Sequence, residues 1–183
     1  MRGRQKGFTL IELMVSVAIM VVLAGIALPT MMFHYKKAKV TKATAQISRL
    51  ESAIDQFKND MGYYPPALTA GEYFGDSATE RGKRKEIIEA LSGFDINKNR
   101  IALYWDDPDW NGPYLECKGN ELDTNGQMLD PWLQPFLFDA TPSGRVLKNT
   151  DTVDIISKGA DKQWDSANES SDKNDDNICN WQK

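Results

Sequence analysis

The residues most able to do chemistry lie in an acidic stretch near the C-terminal end, Ser157–Trp181. Its carboxylates recur at short intervals among small polar residues: Asp161, Asp165, Glu169, Asp172, Asp175 and Asp176. Hard carboxylate and carbonyl oxygens on a flexible loop suit Ca²⁺, whereas zinc and copper favour histidine and thiolate clusters, which this stretch lacks. The stretch therefore predicts either a calcium site or an acidic loop that is merely solvated and needs no ion.

A second polar stretch, Asp95–Asn99, has the D-x-N-x-N spacing that opens an EF-hand calcium loop. Arg100 stands where that loop needs a glycine for its sharp turn, and no glutamate closes the loop at its twelfth position. We therefore interpret Asp95–Asn99 as a polar turn.

Residue groupings typical of catalysis are missing from the sequence. The one histidine, His34, follows a long apolar run, where a structural or interfacial role suits it better than that of a general base. There is no Ser-His-Asp grouping, no glycine loop that could cradle phosphate and no histidine pair with metal-ligand spacing. The sequence predicts a protein that is not an enzyme.

The two cysteines, Cys117 and Cys179, form an even count. In a domain exposed to an oxidising compartment, such a count predicts a disulfide, which here would tie the end of the acidic stretch to the middle of the domain. Two unrelated buried thiols are the alternative.

The first structural element that the sequence predicts is a long apolar segment near the N-terminus. No charged residue occurs from Leu13 to Phe33, and as a helix rising ~1.5 Å per residue this run is about long enough to cross a hydrocarbon layer of roughly 30 Å. Glu12 lies at its start, where a buried carboxylate is costly and usually has a partner. The segment predicts a single transmembrane helix.

A short basic stretch, MRGRQKG, precedes that segment and ends in Gly7. An ordinary secretory signal would place its cleavage site after the apolar run, and no convincing site follows here. The residues from Gly7 to Glu12, GFTLIE, resemble the prepilin leader site of type IV pilins and type II secretion pseudopilins. The resemblance implies that a prepilin peptidase cuts after Gly7 and methylates Phe8, and that the Phe8 amine pairs with Glu12 of another subunit. A plain membrane anchor whose Glu12 reaches the interface is the alternative.

Apolar residues continue at alternating steps of three and four beyond the membrane segment: Val40, Ala43, Ile47, Leu50, Ile54, Phe57 and Met61. This spacing predicts one continuous helix from Phe8 to Met61, ended by Gly62, with its second half packed on its own domain. A surface loop is expected from Pro66 to Gly82 and a short helix over Lys85–Leu91.

Three short strands are expected in the rest of the chain: Ile101–Trp105, Pro135–Phe138 and Val153–Ser157. An Asp123–Gly126 turn separates the first two. A small antiparallel sheet beside one long helix predicts an α+β fold, which is the pilin-like fold that the resemblance implies.

Two further stretches resemble the secretion pseudopilins. Asp130–Phe136, DPWLQPF, is similar to their DPWGNPY signature, with Leu133 in place of the glycine. The S-x-G-x-D opening and the D-N-I-x-N-W close of the acidic stretch resemble the calcium loop of the major pseudopilin. The resemblance implies five candidate ligands, one of them through its backbone carbonyl: Lys158, Asp161, Asp175, Asp176 and Asn177.

The expected organisation is a leader at 1–7, a transmembrane and assembly segment at 8–33, and a periplasmic pilin-like head at 34–183 whose acidic loop spans 157–181. Losing the three basic leader residues takes the net charge from −4 to −7, and such a polyanion argues against nucleic acid as partner. The resemblance implies a single-pass inner-membrane subunit that polymerises with itself and with other pseudopilins on an inner-membrane secretion platform. Export of folded proteins is the implied function.

Two other functions remain open at this point. A type IV pilin of a surface fibre for adhesion, motility or DNA uptake shares the N-terminal chemistry. A membrane-anchored periplasmic enzyme or binding protein would instead work as an uncleaved monomer.

Overall fold

The computed structural model describes residues 7–70, 77–139, 153–165 and 171–181. The chain divides into two compact units, Met1–Ala38 and Lys39–Lys183. The basic residues of the predicted leader, Arg2, Arg4 and Lys6, lie outside the described residues.

One helix, α1, runs from Leu10 to Met61, which confirms the predicted continuous helix except that it begins two residues later. In the first unit its described apolar side chains are exposed, with Leu10 78% and Leu23 62% accessible. Among the residues that the structure describes, no helix meets the length and apolarity required to cross a membrane.

The second half of α1 carries the core of the second unit. Its apolar stripe is buried from Ala43 to Phe57, with Leu50, Ile54 and Phe57 fully inaccessible. Val40 is 44% exposed, so the stripe extends one turn beyond the buried core. Gly62 ends the helix with φ 76°, and its amide donates to the Lys58 carbonyl at 2.9 Å, as the sequence predicted.

A second helix, α2, spans Ala78–Ser92. The prediction of a helix limited to Lys85–Leu91 was too short, and part of the predicted Pro66–Gly82 loop is a 3₁₀ helix, Pro66–Ala70. The earlier start has a local cause, because Ser77 and Glu80 form a capping box. The Ser77 hydroxyl accepts from the Glu80 amide, and the Glu80 carboxylate accepts from the Ser77 amide.

The segment predicted as a first strand is instead a short helix, α3, at Ala102–Trp105. Aromatic packing explains the error. The Trp105 indole donates to the Gly93 carbonyl at 2.7 Å and its ring lies 5.0 Å from that of Trp110. These contacts place the segment against the end of α2 rather than beside a strand.

The sheet has three antiparallel strands in the order β1-β2-β3: Leu137–Asp139, Asp154–Ser157 and Ile178–Cys179. The first two match predicted strands, and β3 was not predicted. Alternation along the strands gives the sheet two covered faces. Phe138 and Ile155 belong to the core that also contains the second half of α1, whereas Leu137, Ile156 and Cys179 form a second cluster with Trp164 and Trp181. The α+β, pilin-like fold is confirmed.

The Asp130–Phe136 stretch forms a tight turn around the buried Asp130 carboxylate. One of its oxygens accepts from the amides of Trp132 and Gln134, both at 2.9 Å, and the other accepts from the Ser157 hydroxyl at 2.6 Å. Burial raises the pKa of the Asp130 carboxyl. Leu133 is held at φ 63°, a left-handed conformation that costs a non-glycine residue roughly 1–2 kcal/mol. The turn is therefore formed without the glycine, and it anchors the start of the acidic loop.

Candidate functional site

The predicted assembly residues lie together at the start of α1. Gly7 and Phe8 precede the helix and are exposed, with Phe8 84% accessible. The Glu12 carboxylate accepts from the Thr9 amide at 2.9 Å and from the Thr9 hydroxyl at 2.7 Å, and the Thr9 hydroxyl accepts from the Glu12 amide at 3.3 Å. These are the reciprocal contacts of a capping box.

Thr9 caps α1 and was not among the predicted site residues. Its T-x-x-E spacing with Glu12 is the sequence signal for this cap. The geometry gives Glu12 an intramolecular role that starts the helix and leaves its side chain at an exposed position beside Phe8. Both roles are compatible, because a carboxylate has about four lone-pair sites.

In the acidic loop, Asp176 is the side chain around which the backbone turns. One carboxylate oxygen, Oδ2, accepts from the amides of Ala160 at 2.6 Å and Asp161 at 2.9 Å. The other, Oδ1, is buried and has no hydrogen-bond partner within the described residues. Gly159, at φ 65°, lies so close to the Asp176 backbone that a side chain there would collide with it. A buried carboxylate oxygen without a proton donor is a position that a cation would satisfy.

Asn177 lies beside the same part of the loop. One end of its side-chain amide lies 3.0 Å from the Lys158 carbonyl and 3.1 Å from the Gln163 carbonyl, and its nitrogen donates to both in the orientation that hydrogen bonding favours. The two carbonyls would be available to a hard cation if the amide turned its oxygen away from them. The Gln163 carbonyl is a candidate ligand that the sequence did not reveal.

The structure places four of the five predicted calcium ligands in the part of the acidic loop near Asp176 and leaves the fifth, the neighbouring Asp175, exposed. Lys158, Asp176 and Asn177 lie as described. The Asp161 amide donates to the Asp176 carboxylate at 2.9 Å, and the Asp161 carboxylate accepts from the Gln163 amide at 2.7 Å. Asp175 is exposed at the end of a 3₁₀ helix, Asp172–Asn174. In the part of the chain that the structure describes, no three acidic, histidine or cysteine side chains alone could hold a metal. The donor set therefore fits calcium only if backbone and amide oxygens complete it.

The two cysteines are not joined. Cys117 packs at the edge of the main core, whereas Cys179 belongs to the second cluster on the other face of the sheet, and both are free thiols. The predicted disulfide is therefore not formed in the structure. Burial raises the pKa of the Cys117 thiol to about 11 and that of Cys179 to about 12, which makes both poor nucleophiles at neutral pH.

Comparison with known proteins identifies the family. Residues 2–28 match the family described as prokaryotic N-terminal methylation motif, and residues 30–71 match the family described as type II secretion system protein G. Type II secretion system core protein G of Aeromonas hydrophila is 44% identical over 180 residues, covering 98% of this chain and 94% of that protein. The chain belongs to the type II secretion system protein G family.

Two other relatives of this protein G family chain match over less of their length. Core protein G of Pectobacterium carotovorum is 47% identical over 62 residues, which are 34% of this chain and 40% of that protein. A type IV major pilin protein of Neisseria gonorrhoeae is 32% identical over 93 residues, 51% of this chain and 56% of that protein. No solved structure matches the chain. The predicted family is confirmed, while the roles of individual residues stay predictions.

Proposed function

We propose that this chain is a structural subunit of a periplasmic pseudopilus, which polymerises through its N-terminal helix and helps a type II secretion system to export folded proteins. The observation that carries the proposal is the full-length similarity to a core protein G. The exposed, apolar first part of α1, headed by Phe8 and Glu12, supports it as a surface for self-association.

The proposed location is the inner membrane, with the head in the periplasm. The uncharged run from Leu13 to Phe33 supports a single membrane pass before assembly. The N-terminal methylation motif supports a prepilin peptidase as processing partner. Other pseudopilins and an inner-membrane secretion platform are the further partners. No catalytic role is proposed.

A type IV pilin function is the second candidate, favoured by the 32% identity to a major pilin. That match covers about half of each protein, whereas the match to core protein G covers 98% of this chain. We therefore favour the secretion function.

The proposed processing predicts the mature N-terminus. Mass spectrometry of protein purified from membranes of its own bacterium is expected to find methylated Phe8 as the first residue. Replacing Gly7 by a bulky residue such as leucine is expected to block cleavage and leave the basic leader attached, since the peptidase must then accept a side chain at the cut. Full-length Met1 protein in assembled filaments would contradict the proposal.

We also propose that the acidic loop binds one Ca²⁺ through Asp176, Asn177, Asp161 and the carbonyls of Lys158 and Gln163. The ion supplies positive charge to the Asp176 carboxylate oxygen that has no hydrogen-bond partner within the described residues. The support is the buried, unbonded Oδ1 of Asp176, together with the carbonyls of Lys158 and Gln163 that lie close to each other at Asn177. Because Ser157 is anchored on Asp130, binding is expected to stabilise the loop against the sheet.

A further inference from the structure

The turn at Leu133 exposes an apolar side chain although its backbone conformation is unfavourable for a non-glycine residue. Leu133 is 68% exposed although its backbone is held at φ 63°, a conformation that glycine adopts freely. Its amide donates to the Asp130 carbonyl at 3.0 Å, and its carbonyl accepts from the Gln134 side chain at 2.9 Å. The side chain therefore projects from a turn that is fixed on both sides.

Two lysines lie near other residues of this turn. The Lys39 ammonium lies 6.0 Å from the centre of the Trp132 ring, next to Leu133. Lys162 is close enough to Asp130 to act electrostatically on its carboxylate. We use the term knob for Trp132 and Leu133 together with Lys39.

A cavity of about 370 Å³ lies elsewhere in the same unit, between the end of α2, the turn after it and residues 113–126. Its apolar lining includes Ile88, Phe94, Leu115 and Leu122. No residue of the knob lines it. Its volume falls within the range of about 300–1,000 Å³ typical of binding clefts.

The cavity carries the opposite charge to the knob. Four acidic residues line it, Glu89, Asp95, Glu116 and Asp123, against one basic residue, Lys98. Lys85 forms an ion pair with Glu89 at 3.2 Å, so the acidic excess is carried by the other three. An apolar floor with an acidic lining suits an apolar side chain that is flanked by ammonium groups. Leu133, which follows the Trp132 ring that the Lys39 ammonium approaches, has that chemistry.

We propose that the knob of one copy of this chain inserts into the acidic cavity of the next copy. Knob and cavity are different surfaces, so the contact is head-to-tail, and each copy can bind one neighbour with its knob and another with its cavity. Such a contact propagates into an open filament rather than a closed pair. The inference rests on the proposed function as a self-polymerising subunit and names a contact between heads that supports it.

The test is disulfide cross-linking between copies of the full chain in cells. One copy carries Leu133→Cys and the other Ile96→Cys, a cavity-lining position that is 39% exposed. Both also carry Cys117→Ser, because Cys117 lines the cavity. Copper phenanthroline is the oxidant. It accepts the two electrons released when two thiols lose their protons and form a disulfide bond. A covalent dimer is expected only when both copies are present.

Leu103→Cys is the matched control, because Leu103 is 72% exposed on α3 and outside the knob; paired with Ile96→Cys it is expected to give no dimer. Dimer formation by Leu133→Cys alone would show a symmetric contact and overturn the proposal. Absence of the mixed dimer in cells that still secrete would overturn it too, while leaving the proposed function intact. Failure of the wild-type chain to multimerise at all would instead count against the proposed function.

A second variant separates assembly from folding. Leu133→Gly relieves the left-handed backbone and removes the knob. It is expected to raise the melting temperature and at the same time to reduce secretion. A Leu133→Gly variant that melts higher and secretes as well as wild type would contradict the proposed contact.

Discussion

Asp176→Asn is expected to abolish the rise in melting temperature that calcium produces in the wild-type protein. A ligand that binds only the folded state stabilises it by about 2.7 kcal/mol at a hundredfold excess over Kd. Asparagine keeps an oxygen that can accept from the Ala160 and Asp161 amides, as the Asp176 carboxylate does. The variant therefore removes the negative charge at Oδ1 while leaving much of the loop geometry in place.

The measurement is a thermal melt of each protein in calcium and in chelator. Asp175→Asn is the matched control, because this neighbouring carboxylate is exposed and outside the oxygen cluster; it is expected to retain the calcium response. If wild-type protein melts at the same temperature in calcium and in chelator, the loop is an acidic surface that binds no ion. If both variants lose the calcium-induced rise in melting temperature to the same extent, calcium responds to the net negative charge of the loop rather than to a defined site.

Glu12→Gln is expected to prevent assembly almost as completely as Glu12→Ala. Glutamine suits the capping box with Thr9, so this variant keeps the start of α1 while removing the charge that would pair with the Phe8 amine of a neighbour. Leaving one member of a buried ion pair without its partner costs about 3–5 kcal/mol. A loss of binding free energy of this size at each subunit contact is expected to prevent the filament from forming.

Multimers of the chain, trapped in cells with a short amine cross-linker and resolved by size, provide the measurement. Thr9→Ala is the control that breaks the cap but keeps the carboxylate, and it is expected to reduce assembly only slightly. If Glu12→Gln assembles like wild type and Thr9→Ala does not, helix capping and not charge pairing is the role of Glu12.

Long periodic patterns in the sequence predicted the fold well where one element carries many contacts. The α1 stripe is an example, since five of its positions from Ala43 to Phe57 are at most 3% exposed. Short helices and strands were harder to predict. Ile101–Trp105 has strand-forming residues, but the indole contacts of Trp105 with Gly93 and Trp110 decide its helical conformation. Such side-chain contacts, between residues five and twelve positions apart, cannot be read from local propensity.

The same distinction holds for the candidate sites. The acidic loop and four of its candidate ligands were predicted from residue types and resemblance, because carboxylates and the S-x-G-x-D opening are visible in the sequence. The Gln163 carbonyl could not be found in that way, since any residue type has one. The third strand has only two residues, and its pairing with β2 depends on where the acidic loop returns to the sheet.

The central claim, a subunit required for secretion, is tested most directly in the organism itself. The gene is deleted and replaced by wild type or by Glu12→Gln, and secreted proteins are measured in the medium and in the periplasm. The account predicts that deletion and Glu12→Gln leave these proteins in the periplasm and that wild type restores them to the medium, with surface fibres unaffected throughout. Normal secretion in the deletion strain, together with loss of surface fibres, would contradict the account and favour a type IV pilin.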